Sequence, residues 1–390
     1  MISVDEALTH LFSLVSPLDA EEVPLAKAVG RVLAQDAVAR RDQPPFAASA
    51  MDGYAVQDSD ARPGAVLTVI GEAAAGHRSD QAVSKGQAVR IFTGAPVPDG
   101  ADRIIIQEDV TRAGDQITLG DPLDSGRHIR AAGGDFKIGD ALTAPRILTP
   151  ADIALLAAMN IASVQVTRKP QVALLSTGDE LVMPGETPGP DQIIASNTFG
   201  LKALLEQHGA QARILPIARD TRPSLEAAFG LAEGADLLVT IGGASVGDHD
   251  LVGAVAADLG VEQAFYKVKM RPGKPLMAGK MGNAAMVGLP GNPVSAMVCG
   301  HVFLRPMLRA MLGLVAARLP RQTARLTQNM PVGGPREHYM RAEVQGGQIT
   351  AAPEQDSAFL SVLASANALM IRPAGDGPRQ IGDQVEYLAI

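Results

Sequence analysis

Val172-Ala173-Leu174-Leu175-Ser176-Thr177-Gly178-Asp179-Glu180 decides the fold of this chain. Four apolar residues in a row end at two hydroxyls, a glycine and two acids. An apolar run of that length, without polar alternation, reads as a strand covered on both faces. The same unit recurs downstream. Residues 198–207 have helical spacing, 213–218 read as a strand, and 223–233 as a helix with a proline near its start. Residues 237–241 form the next strand, before Gly242-Gly243; 265–270 and 284–287 add two more, and 294–312 a closing helix. Short strands alternating with helices predict a doubly wound α/β sheet, parallel and wrapped by helices, with ligands beyond the carboxyl ends of the strands.

Working outward, residues 2–16 carry Val4, Leu8, Leu11, Phe12 and Val15 at helical spacing, which predicts an amphipathic helix ended by Pro17. Residues 18–42 read as a short helix and an extended connector. From Asp42 to about Gly139, β-rich runs at 66–70, 88–91, 103–107 and 116–119 alternate with Gly, Pro and Asp turns, as in an all-β domain. Residues 140–169 turn helical around 152–159. At 318–390, period-2 patches (324–326, 339–344, 369–372, 385–388) predict a small β-domain or barrel. There is no internal repeat.

A chain of 390 residues exceeds one ordinary domain, so two to four are expected. With no tryptophan and 3% aromatics, its cores must be built from Ala, Val, Leu, Ile and Met, which argues against single-strand binding by base stacking. The formal net charge of -8 argues against nucleic acid generally. The one cysteine, Cys299, sits in an apolar run and reads as a core residue; it excludes an internal disulfide and a cysteine-based zinc site. The seven histidines show no metal-binding spacing. His301, Arg305, Pro306 and Arg309 interrupt the apolar run at 293–317, so no membrane span is expected. Without a basic-then-apolar leader at the N-terminus, the expected location is the cytoplasm.

Polar, glycine-bearing loops follow the expected strands: Ser176-Thr177-Gly178-Asp179-Glu180, Arg219-Asp220, Gly242-Gly243-Ala244-Ser245-Val246-Gly247-Asp248-His249-Asp250 and Gly288-Leu289-Pro290-Gly291-Asn292-Pro293. Parallel strands place all four at one sheet edge. Lys267, Lys269, Arg271 and Lys274 put four cations within eight residues, on a carrier stiffened by Pro272 and Gly273. Cations beside a helix N-terminus suit a phosphate or oxyanion. The carboxylates Glu180, Asp220 and Asp250 share that rim, and acids beside cations point to a divalent ion with a phosphorylated ligand; oxygen-only ligation suits Mg²⁺. Ser176 and Ser245 can donate to phosphate oxygens. Asp179 and Asp220 equally fit helix caps or turns, Asp248 a loop or cap, and the lysines an ordinary solvated face.

Two further motifs stand outside this segment. Ser49-Ala50-Met51-Asp52-Gly53-Tyr54-Ala55-Val56 reads as an Asp before a Gly-Tyr turn, and Thr93-Gly94-Ala95-Pro96-Val97-Pro98 as a rigid loop with a hydroxyl at its start. Taken with Ser176–Leu181, the Gly242 loop, Pro272-Gly273-Lys274-Pro275 and Leu289-Pro290-Gly291-Asn292-Pro293-Val294, they resemble, in order, six motifs of the MoeA/gephyrin family of molybdenum-inserting enzymes. The resemblance runs over nearly the whole chain.

The resemblance implies four parts: an elongated connector domain (18–41 and 140–169), an inserted β-rich domain (42–139), a molybdopterin-binding α/β domain of MogA-like type (1–17 and 170–317) and a C-terminal β-barrel domain (318–390). It implies insertion of molybdate into adenylylated molybdopterin with Mg²⁺, releasing AMP and molybdenum cofactor. It also implies a homodimer whose site is shared between subunits, and a transient contact with a molybdopterin adenylyltransferase. Carried over by position, catalytic roles fall on Asp52, Thr93, Asp135, Glu180, Asp220 and Asp250, with Glu180 and Asp220 on the metal. Substrate binding falls on Ser176, Gly243, Ser245, Lys267, Arg271, Lys274, Pro290, Pro293 and Ser357. Three departures from the family pattern stand out: Arg271 in place of Lys, Ala47-Ala48 in place of a polar pair, and Gly134 before Asp135 in place of an acid. Competing readings are a peptide-binding scaffold, a tungsten-inserting relative and an adenylyltransferase.

Overall fold

The computed structural model describes residues 1–243 and 251–390, so the expectations for Ser245, Asp248 and Asp250 fall outside the described residues. The chain divides into two compact units, one of Met1–Glu21, Gly30–Ala34 and Val166–Ile390, the other of Glu22–Val29 and Gln35–Gln165.

In the first unit, strands β1 (Gln171–Ser176), β2 (Gln211–Ile214), β3 (Leu237–Ile241), β4 (Glu262–Tyr266), β5 (Met277–Met281) and β6 (Ala284–Leu289) form one sheet in the order β2-β1-β3-β6-β5-β4. The neighbours β2, β1, β3 and β6 are parallel. Strand β5 runs against both of its neighbours, so the sheet is mixed rather than wholly parallel. The reason is local: only Gly282-Asn283 joins β5 to β6, with Gly282 at φ 55°, and so short a link makes a hairpin. Since β5 is antiparallel to both β4 and β6, β4 runs with the main set, and its carboxyl end leads into Lys267.

The sheet is covered on both faces, which is why its strands read as continuous apolar runs. Val172 and Leu174 enter one core with helices α1 (Val4–Ser13) and α2 (Asn197–Gln207) and the long closing helix. Ala173 and Leu175 enter the other with α3 (Arg222–Gly230) and α4 (Leu251–Asp258). The closing helix comprises α5 (Pro293–Cys299), a π turn (Gly300–Leu304) and α6 (Arg305–Met311). Helix α1 starts from a capping box of Ser3 and Glu6 and stops at Ser13, before Pro17.

Two expected strands change. The run 213–218 ends at Ile214, and Pro216 offers no ladder donor. The run 265–270 splits at Lys267, whose φ of 69° turns the chain. Met270–Arg271 instead pairs in parallel with Glu337 and His338. Strands β7 (Gln322–Leu326), β8 (Glu337–Gln345), β9 (Gln348–Ala351), β10 (Ala368–Arg372) and β11 (Gln384–Ala389) pair in the order β8-β9-β7-β11-β10, and β10 pairs back to β8. That closure makes the C-terminal barrel.

The second unit holds a six-stranded sheet in the order Arg103–Ile106, Gly53–Val56, Gln87–Ile91, Val66–Ala73, Gln116–Leu119, Val110–Ala113. Gly53-Tyr54 is therefore no turn but the start of a fully buried strand next to the edge strand. Gly53 is required there, because a Cβ would lie 1.9 Å from the Ile105 carbonyl oxygen. The expected short helix within 18–42 is a single 3₁₀ turn, Leu25–Lys27, and the helix near 152–159 is Pro150–Ala158, capped by Thr149 and Asp152. Among the described residues no helix is long and apolar enough to cross a membrane.

Candidate functional site

The loops at the carboxyl edge of the first unit's sheet enclose one cavity of about 780 Å³. Ser176, Gly178, Glu180, Asp220, Gly243, Lys267, Lys274, Pro290 and Pro293 all line it. Carboxylates and ammonium groups thus face one space, as the loop pattern implies.

Each wall has a local cause. Gly178, at φ 146°, folds the chain so tightly that a Cβ there would meet the Glu180 carboxylate at 2.3 Å. Asp179 is structural: its carbonyl accepts from Arg219 Nη1 at 2.9 Å, and its Oδ1 accepts from the Asp220 N–H at 3.4 Å. Asp220 is not the helix cap, since Thr221 occupies that position, and its exposed side chain lines the cavity. Gly242 and Gly243 form the floor, where side chains would strike the Thr177 carbonyl at 2.7 Å and Val252 Cγ2 at 2.2 Å.

The cationic wall is a loop pinned at its base. The Lys267 N–H donates to Leu276 O at 2.9 Å and the Val268 N–H to Lys274 O at 3.1 Å, while Ile2 bonds the loop at Lys267 O and through the Lys269 N–H. Lys267 Nζ stands 4.8 Å from the centre of the Tyr266 ring. Gly273, at φ 105°, lies against Cys299, whose burial pushes its thiol pKa up and leaves it an inert core group.

The helix start at Pro293 offers less to an anion than its sequence implies. Proline has no N–H, and the Val294 N–H donates to Ser357 O at 3.0 Å. Asn292 Nδ2 also donates to Ser357 Oγ at 3.1 Å. Ser357 therefore braces the Pro290–Pro293 wall from the side, and its neighbour Ala358 lines the cavity.

Arg271 is not among the cavity-lining residues. It is exposed and adds to a cationic group that sequence reading missed. Arg341 is wholly buried, and its Nε and Nη1 have no partner among the described residues. Its Nη2 donates to Asp356 O at 2.8 Å, which ties it to the segment carrying Ser357. His338 Nε2 is likewise buried and unpaired among the described residues. Burial, then Arg271 and its fellow arginines, depresses His338 to about 4, so it is neutral at pH 7. The alternation of β8 hides Arg341: Met340, Ala342 and Val344 face the barrel core, and the arginine lies on the opposite face with Tyr339, where a polar residue reads as solvated.

The second unit holds Asp52, Thr93 and Asp135. Asp52 Oδ1 accepts from both the Thr93 N–H and Thr93 Oγ1, each at 2.7 Å. These bonds, with the Arg90 charge, hold the Asp52 carboxyl below its ordinary range. Arg90 donates to Gly53 O at 3.0 Å and lies between the Tyr54 and Phe92 rings, 5.0 and 4.8 Å from their centres. The two loops are laced by Gly94 N–H to Ser49 O and Ser49 N–H to Ala95 O, both 2.9 Å. Ala47 and Ala48 serve through their backbones, Ala47 O accepting from the Val97 N–H at 2.8 Å. Asp135 is exposed on a neighbouring loop, its N–H bonded to Gln43 O at 2.9 Å.

A doubly wound domain with an acid-and-lysine cavity, joined to a closed β-barrel and a β-rich unit, defines a multidomain α/β ligand-processing protein. Comparison with known proteins makes that specific. Residues 2–160 match the MoeA N-terminal region (domains I and II), 173–310 a probable molybdopterin binding domain, and 323–390 the MoeA C-terminal region (domain IV). The chain is 35% identical over 395 residues to the molybdopterin molybdenumtransferase of Haemophilus influenzae, covering 99% of this chain and 98% of that protein. It is 37% identical over 371 residues to molybdopterin molybdenumtransferase 2 of Mycobacterium tuberculosis, covering 90% of each. A crystal structure of a molybdopterin biosynthesis MoeA protein from Pyrococcus horikoshii superposes with a TM-score of 0.87 at 28% identity, covering 100% of both chains. The chain belongs to the MoeA family of molybdopterin molybdenumtransferases, transferases of molybdenum-cofactor biosynthesis.

Proposed function

We propose that this chain inserts molybdate into adenylylated molybdopterin and releases AMP with the molybdenum cofactor, in a Mg²⁺-dependent reaction carried out by a cytoplasmic homodimer. The observation that supports it most is the single cavity lined by Glu180 and Asp220 on one side and Lys267 and Lys274 on the other. A diphosphate needs cations, and a metal bound to it needs carboxylates.

The donor set fits Mg²⁺. Among the described residues no three His, Cys, Asp or Glu side chains cluster to cage an ion, but two carboxylates line the cavity. Mg²⁺ is commonly held by one or two carboxylates, substrate phosphates and water. Glu180 and Asp220 would hold it, and when bound it offsets phosphate charge and activates the leaving group.

The remaining work falls to the chain's own groups. Lys267 and Lys274 hold the diphosphate oxygens and draw in molybdate, a dianion that the acids alone would repel. Arg341, buried and bonded through Nη2 to Asp356 O, steadies the segment that carries Ser357. Two dithiolene thiols replace one oxo group of molybdate, and their protons leave with that oxygen as water; molybdenum stays hexavalent. One water cleaves the P–O–P bond, its oxygen going to phosphorus and its protons being released or shared with the departing phosphate. Asp52 and Thr93 orient the dithiolene end from the second copy of the chain. The substrate arrives from a molybdopterin adenylyltransferase, so a transient contact with that enzyme belongs to the same reading.

The test incubates the protein with adenylylated molybdopterin, Mg²⁺ and either molybdate or tungstate, and measures AMP. Oxyanion-dependent AMP release is expected with molybdate. ATP consumption, or binding with no turnover under any condition, would replace this reading with an adenylyltransferase or a scaffold.

A further inference from the structure

Thr177 is assigned no role above, yet it lines the cavity with a buried hydroxyl that has no partner among the described residues. The residue is 3% exposed, and Oγ1 is buried and unpaired among the described residues. Its backbone N–H is engaged, donating to Ile241 O at 3.1 Å. The residue nonetheless belongs to the lining of the cavity, beside Gly178 and Glu180.

The two floor glycines approach that hydroxyl closely. A Cβ on Gly242 would lie 3.1 Å from Thr177 Oγ1, and a Cβ on Gly243 would also lie 3.1 Å from it. Two consecutive glycines at φ 96° and 64° thus bring only backbone to that hydroxyl and no side chain that could pair with it. A buried hydroxyl without a partner is unfavourable, and a valine of the same shape would avoid it. The described surroundings supply no protein acceptor for its proton. A ligand oxygen close to Glu180 and the lysine wall is an anionic one, and a neutral hydroxyl donates to such an oxygen with a charge-assisted bond.

We propose that Thr177 is a substrate-binding residue whose hydroxyl donates to a phosphoryl oxygen of the nucleotide-bearing diphosphate. The inference rests on the functional reading above and adds to it a named donor between the Glu180 loop and the Gly242-Gly243 loop.

The control lies one strand away. Thr240 is 0% exposed and its hydroxyl is also unpaired among the described residues, but Thr240 does not line the cavity. The full-length protein is titrated with AMP and Mg²⁺ by calorimetry, and each variant is also melted. Thr177→Val is expected to weaken AMP binding about tenfold to a hundredfold, the range for a hydrogen bond to a charged group, with no fall in melting temperature. Thr177→Ser should bind within a few-fold of wild type, and Thr240→Val should bind as wild type does. Equal AMP affinity in wild type and Thr177→Val overturns the role of Thr177 while leaving the nucleotide site intact. An equal loss in Thr240→Val overturns it too, because both hydroxyls would then act through packing. If wild type itself binds no AMP while retaining its fold, the underlying reading fails and this inference falls with it.

Discussion

The cavity of the α/β unit and the Asp52–Thr93 pair of the β-rich unit are both built from acids and hydroxyls, but they are in opposite states. In the cavity, Glu180, Asp220, Lys267 and Lys274 face open space, and Thr177 has no protein acceptor among the described residues. In the pair, the Asp52 carboxylate already accepts two hydrogen bonds from Thr93. A group left without protein partners is available to substrate. A group satisfied by its own chain is fixed in direction and charge, and adds orientation rather than capacity.

The sharpest way to break this comparison is to remove a cavity acid. Glu180→Ala is expected to keep the fold, since the side chain is exposed, and to lower AMP release about 10²–10³-fold, the usual loss for one positioned electrostatic group. Asp52→Ala should fold and dimerise while losing much of cofactor formation. Mixing Asp52→Ala with Glu180→Ala subunits should restore part of it in verified heterodimers, because one intact shared site forms. No recovery would confine the site to a single chain.

Gly178→Ala tests the cavity without touching a charge. The added methyl would sit 2.3 Å from the Glu180 carboxylate, so turnover should fall about tenfold or more through displacement of that acid. A crystal structure of the variant with Glu180 unmoved would reject the cause.

Acid should separate the two regions. Burial depresses His301 to about 3 and His208 to about 4, and His338 is also depressed to about 4; all three belong to the α/β unit. Their ordinary value is 6.5, so the unfolded chain takes up protons first as pH falls. Their contribution to stability is complete above about pH 6.5 and is lost on descent toward pH 4. In the β-rich unit, Asp52, Asp124 and Asp152 are depressed below 3.8, so their contributions fade only below that value. Hydrogen exchange at pH 5 should therefore loosen the α/β unit more than the β-rich unit. Equal protection across both would show that the buried histidines do not govern acid stability.

The smallest effect concerns Thr93→Val. Loss of the hydroxyl bond should raise the Asp52 carboxyl toward its ordinary range in an NMR titration, and part of the depression should persist through the Thr93 N–H. An unchanged titration would remove the hydroxyl from the control of Asp52.

The amino-acid sequence by itself determined the α/β sheet, because strands buried on both faces cannot alternate and 172–175 and 237–241 show it plainly. It determined the cavity's acids and lysines, because glycine-bearing loops at parallel strand ends must share an edge. It also settled the core role of Cys299 and the period-2 barrel strands. Only the tertiary structure decided that β5 runs backwards, that Gly53 begins a strand, and that Val294 spends its N–H on Ser357. It alone exposed the unpaired groups of Arg341, His338 and Thr177. The physical reason is that pattern reports which side of an element is buried, while hydrogen-bond satisfaction depends on what the other elements bring to that side.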